Sequence, residues 1–225
     1  MNIKTITLAL TLVFSGASLA NGTTYTFDLA AQGYSGSSQL SDAISMETNG
    51  LGLTITGWSD SAPEDVSDGA SGVSKWDGDV TQTDLYWWGN NNGLGVVNND
   101  EGSGDVPDHS IDNYASNHEY ADRDMVLLSF DEAVTLEGFS VGWQMSYGSE
   151  DWSIDAAGFV SITESQKDMM ESSTPATWDD VLGSSSPSMV TENISNWAQD
   201  SNDNWYVTGA QYYSLPAGTN EPSKY

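Results

Sequence analysis

The chain contains no cysteine. That absence excludes disulfide stapling, thiolate metal sites and cysteine nucleophiles together. Positive charge is almost as scarce. Lys4, Lys75, Arg123, Lys167 and Lys224 stand against 33 acidic residues, for a formal net charge of −28. A surface this negative repels nucleic-acid phosphate and anionic lipid, which excludes both as direct partners. It favours divalent cations, cationic surfaces or a salty medium that screens self-repulsion. Histidine is limited to His109 and His118. Beyond the first twenty residues no segment approaches the ~20 continuous apolar residues of a membrane helix, so the sequence predicts no transmembrane segment. Hydrolase and nucleotide signatures are missing too: there is no Gly-x-Ser-x-Gly elbow, His-Glu-x-x-His pair or phosphate loop.

Aromatic residues, by contrast, are plentiful, with nine Trp, ten Tyr and five Phe. Their number requires a core or an interface and argues against disorder despite the charge. Residues 1–20 read as a secretory signal peptide. Lys4 supplies the positive start, Ile6 to Phe14 the short apolar stretch, and Ser18-Leu19-Ala20 the small-x-small cleavage site. The mature chain then begins near Asn21 and holds about 205 residues, enough for one β-sandwich with its own core.

Alternation with period two sets the expected strands. Tyr25, Phe27 and Leu29 alternate with polar neighbours, as do Leu51, Leu53 and Ile55 in a run ending at Trp58. Leu85–Trp88 and Leu94–Val97 flank a Gly/Asn turn, residues 89–93. Residues 125–131 put Val126, Leu128 and Phe130 on one face. In 134–143, Val134, Leu136, Phe139, Val141 and Trp143 point inward, with a phase slip at Gly138 that predicts a bulge. The two-residue connection Glu132-Ala133 predicts that 125–131 and 134–143 pair as an antiparallel hairpin. Phe159–Ile162 and Trp205–Val207 complete the strands. Helical signal is thin, confined to Ser165–Ser172 and Thr177–Leu182, the second with Thr177 as N-cap. The expected fold is all-β: a single antiparallel β-sandwich, jelly-roll-like, over residues 21–217, with 218–225 as a C-terminal tail.

Two constellations bear on chemistry. The long loop 98–120 is dense in hard oxygen donors, and calcium accepts six to eight oxygens in irregular cages. Asp100, Asp105, Asp112 and Asp124 are the expected calcium ligands, set against the alternative of a solvated acidic loop. The spacing does not match an EF-hand. Zinc on His109 and His118, with Asp108 or Glu119, fits no strong ligand spacing. The second constellation is Tyr86-Trp87-Trp88. In a strand Trp87 opposes Tyr86 and Trp88, so at least one ring faces outward. Trp87 and Trp88 are accordingly candidates for stacking sugars of an extracellular polysaccharide, against the alternative that both are buried. Glycoside hydrolysis needs two carboxylates at a defined separation. Among 33 acidic residues any pair can be proposed, so a glycan-active enzyme is the weaker alternative.

The block from Leu53 to Gly158 resembles the exosortase-dependent surface proteins of Gram-negative bacteria, of the PEP-CTERM type. The resemblance rests on Thr54–Ser59, on Gly93-Leu94-Gly95-Val96 with Asn98, and on His109–Asn113. It continues through Asp124–Asp131 and Phe139–Trp143. Glu221–Tyr225 resembles the opening of that family's sorting signal, which continues into an apolar helix and a basic cluster. The resemblance implies export, recognition by exosortase-type sorting machinery, and delivery to the cell surface or an extracellular matrix, with no catalytic activity.

Overall fold

The structure is a computed structural model. It describes residues 4–7, 11–16, 24–34, 36–59, 80–88, 93–97, 111, 124–141, 143–146, 153–174, 176–182, 188–193, 197–199, 205–207, 211–214 and 223–225. In chain order the first strands are β1 (Lys4–Thr7), β2 (Thr11–Gly16), β3 (Thr24–Asp28), β4 (Ser37–Gln39), β5 (Ala43–Thr48) and β6 (Leu51–Ser59). The middle strands are β7 (Thr81–Thr83), β8 (Leu85–Trp88), β9 (Leu94–Val96), β10 (Asp124–Phe130), β11 (Val134–Val141), β12 (Trp143–Ser146) and β13 (Ser153–Phe159). Two helices follow, α1 (Glu164–Met170) and α2 (Trp178–Leu182). The last strands are β14 (Ser188–Asn193), β15 (Trp197–Gln199), β16 (Trp205–Val207) and β17 (Gln211–Ser214). The chain is all-β, and every pairing among these strands is antiparallel.

Three sheets concern the core. One runs β10-β6-β5, with β7 also on β6; a second runs β17-β11-β2-β3; a third runs β4-β8-β9. The β5–β6 hairpin closes through Asn49-Gly50, where φ is 51° and 84° and Thr48 stands opposite Leu51. Two consecutive left-handed residues give the turn a twist that matches the strands, which is why Asn-Gly serves there. Alternation along β6 is as the sequence predicts: Leu51, Leu53 and Ile55 are buried and Gly52, Thr54 and Thr56 half-buried. Gly57 is required by close approach. A Cβ there would sit 3.1 Å from the Thr83 carbonyl oxygen and 3.0 Å from a Leu85 methyl.

The expected hairpin across Glu132-Ala133 does not form. β10 pairs with β6 from Asp124↔Ser59 to Phe130↔Leu53, while β11 pairs with β2 and β17. Glu-Ala has no residue suited to the positive φ of a primed two-residue turn, so the connection passes the chain from one sheet to another. Asp131 anchors the crossing: its carboxylate accepts from the Gly52 N–H at 3.1 Å, and its own N–H donates to the Gly52 carbonyl at 3.2 Å. The two strands still share a core without sharing a ladder. Phe130 and Phe139 belong to one cluster with Phe27, Leu29, Ile44, Leu53, Ile55, Leu85, Trp87, Leu94 and Val96. The bulge expected at Gly138 is present as a register shift between Leu136 and Gly138 in the β11–β2 ladder.

A second cluster lies on the other face of β10. Leu127 and Met125 join Trp58, Val80, Ile162, Met170, Ala176, Trp178 and Val181 there, under helices α1 and α2. Both helices start with reciprocal caps. The Thr163 hydroxyl accepts from the Gln166 N–H, and Gln166 Oε1 accepts from the Thr163 N–H at 2.8 Å. Thr177 and Asp180 repeat the arrangement at 3.2 and 3.1 Å. Val160 and Ile162, expected in a strand, lie past the end of β13 and pack toward this second cluster.

The ends of the chain also join the sheets. The residues read as an export leader supply β1, paired with β12, and β2, paired between β11 and β3. At the other end Ser223 forms a two-bond bridge with Val134 at 2.8 and 2.9 Å, and Lys224 O accepts from Phe130 N at 2.8 Å. Tyr225 packs on the second cluster and donates its hydroxyl to Glu164 at 2.5 Å, with Lys167 Nζ 5.6 Å from its ring centre.

Candidate functional site

The three-stranded sheet β4-β8-β9 decides which aromatic rings face out. Leu85 and Trp87 are 0 % and 2 % exposed and lie in the first cluster, where Tyr34 tilts against Trp87 with ring centres 5.6 Å apart. Tyr34 is itself drawn toward that core, and burial raises its phenol above the ordinary value. By the two-residue period of a strand, Tyr86 and Trp88 then occupy the opposite face, and both are half-buried. Of the two expected sugar-stacking residues, therefore, Trp87 is corrected to a core residue. A ring buried among core side chains has no face left for a ligand. Trp88 stays on the outward side, and Tyr86, part of the same run but not expected to stack sugars, joins it.

The two outward rings meet edge to face, with centres 5.0 Å apart and planes at 62°. That is a favoured aromatic geometry, and each ring holds the other in place. The neighbouring strand β4 sets polar side chains beside them. Ser37 stands opposite Trp88 and Gln39 opposite Tyr86. The Ser37 hydroxyl donates to the Trp88 carbonyl at 3.0 Å. The Gln39 amide donates to the Asp84 carboxylate. On the other side of β8, Tyr86 faces Gly95, and the Trp88 N–H donates to the Gly93 carbonyl at 2.9 Å. The result is an aromatic pair flanked by a hydroxyl, a carboxamide and a carboxylate on one side and glycine backbone on the other. Such a face can place apolar contact under a ligand and hydrogen bonds at its rim.

β4 gave no signal in the sequence, because all three of its residues are exposed and polar. Its position follows only from the ladder to β8.

Of the expected calcium ligands, Asp124 is described, half-buried at the start of β10 opposite Ser59. Asp100, Asp105 and Asp112 lie outside the described residues, as do His109 and His118. Among the described residues no group of three or more His, Asp or Glu gathers as a metal site. Also among them, no helix is long and apolar enough to cross a membrane. Comparison with protein families, with curated proteins and with solved structures finds no match to this chain.

Proposed function

We propose that this chain is an exported, non-enzymatic protein of the Gram-negative cell surface or extracellular matrix, delivered by an exosortase-type sorting system. The reading is carried by the conjunction in one chain of the leader pattern at 1–20 with an antiparallel β scaffold of which strands β3 to β17 lie beyond that leader. We read that scaffold as a sandwich, since the sheets built on β6 and β11 both contribute to the first cluster. Expression in a Gram-negative host, with and without an exosortase, followed by fractionation and N-terminal sequencing, tests it. The expected product is surface-exposed, begins near Asn21 and keeps a β-type circular dichroism spectrum. Cytoplasmic retention with Met1 intact, or a 21–225 protein that does not fold, overturns the export reading. Equal delivery without the exosortase removes the sorting step alone.

Calcium at Asp100, Asp105, Asp112 and Asp124 is proposed as a stabilising ion. Binding to the native state alone adds RT ln(1 + [L]/Kd), about 2.7 kcal/mol at a hundredfold excess. Millimolar calcium should then raise Tm beyond sodium chloride of matched ionic strength, and Asp112→Asn should remove only that excess. Equal shifts with calcium and matched salt refute the site.

A second reading, a carbohydrate-binding module, is favoured by one observation, the outward, half-buried Tyr86–Trp88 pair beside the polar positions of β4.

A further inference from the structure

We infer that the outward face of β8 binds an uncharged polysaccharide, with Trp88 and Tyr86 under the sugar rings and Gln39, Asp84 and Ser37 at their rims. The inference rests on the carbohydrate-binding reading and names its ligand chemistry. A pyranose presents C–H groups on its faces and hydroxyls round its edge. Its binding site therefore needs flat apolar side chains that are partly accessible, with donors and acceptors at the same level. Tyr86 and Trp88 supply the first requirement: both are half-buried, which leaves part of each ring accessible, and their mutual edge-to-face contact fixes their orientation before a ligand arrives. The second is met from β4 and the residue before β8. Asp84 accepts only, so it suits sugar hydroxyls, which donate. Gln39 both donates and accepts, and its bond to Asp84 holds the two groups together beside the Tyr86 position.

Charge selects among polysaccharides. An acidic chain would approach a protein of net charge −28 and would meet Asp84 at the site itself, so both the long-range field and the local contact repel it. A cationic chain would be attracted to the acidic surface everywhere, without need of these residues, and that attraction would fade with salt. A neutral chain is left as the one ligand for which this particular set of side chains matters.

The test uses the full chain with three soluble probes: a neutral β-glucan and galactan set, alginate as polyanion, and chitosan oligomers as polycation. Affinity electrophoresis and tryptophan fluorescence titrations are run at low and at high sodium chloride. The expected result is binding to a neutral probe that high salt leaves unchanged, weakened about tenfold or more by Trp88→Ala and severalfold by Gln39→Ala. Melting curves confirm that both variants stay folded; Trp88→Phe, which keeps an aromatic face, should recover part of the loss. Should folded Trp88→Ala and Gln39→Ala bind the neutral probe as the unaltered chain does, the face is wrong while the carbohydrate-binding reading survives. Lack of binding to every neutral probe ends that reading itself. Binding confined to alginate, or to chitosan in a salt-labile form, overturns the assignment to a neutral ligand.

Discussion

The two faces of strand β10 enter different kinds of core. Val126, Leu128 and Phe130 turn to a cluster filled from other sheets, where Phe27 and Phe130 lie 6.3 Å apart at 54°. Met125 and Leu127 turn to a cluster roofed by two short capped helices and the last residue of the chain. The first core is held by long-range ladders, so losing one large side chain disturbs several sheets together. The second is held by local caps and by a tail, so it can be loosened piecemeal. A strand in an antiparallel sheet commonly has one solvated face; β10 has none to spare, and it couples the two regions.

The sharpest way to break this comparison is at Phe139, fully buried in the first cluster. Phe139→Ala should cost about 3–5 kcal/mol and lower the urea midpoint of the whole chain in one cooperative step. A second transition appearing in that variant would show that the clusters unfold separately. In the second cluster, Met170→Ala should cost about 2 kcal/mol, at the low end of its class because helix α1 can settle onto the gap. Hydrogen exchange should locate most of the loss in α1 and α2; loss spread evenly over β5 and β6 contradicts local loosening.

Thr163→Ala removes the cap of α1 and should cost about 1 kcal/mol, with faster exchange at the Gln166 amide. The smallest effect is at Tyr225. Its hydrogen bond to Glu164, then partial loss of solvent and the charges of Glu164, Asp168 and Glu171, push the phenol from the ordinary 10 up to about 12. A raised phenol favours the neutral form in the folded chain. The contribution of the contact is thus complete below pH 10 and disappears as pH rises through about 12. Ultraviolet titration should show a tyrosine ionising near pH 12 that Tyr225→Phe removes, apart from Tyr34, whose phenol burial also raises. A titration unchanged by that substitution places the tail elsewhere.

How far the sequence foretold these regions follows the same division. β3, β6 and the Gly138 bulge were legible because each buries alternate side chains on one face, and period two is a local signal. The Asn49-Gly50 turn carries an equally local signal, one that alternation alone does not use. β10 was legible as a strand but not in its partner, since a short connection suggests adjacency and only the turn chemistry of Glu132-Ala133 argues otherwise. The split of its two faces between two cores was hidden, because both faces are apolar in part. At the site, parity put Trp87 opposite Tyr86 and Trp88 without saying which side was the core. That depended on Tyr34, about fifty residues away in sequence. Ser37 and Gln39 were invisible because a polar edge strand resembles a loop until its ladder is known.

The tail has a mechanical consequence. Tension applied at the carboxyl end of this chain would act first on the Ser223–Val134 bridge, the Lys224–Phe130 bond and the Tyr225–Glu164 contact. These few bonds join residues 223–225 to Val134, Phe130 and Glu164, while the seven-residue β10–β6 ladder lies behind them. Under load these contacts would peel before the sheets shear, and the Tyr86–Trp88 face would keep its shape.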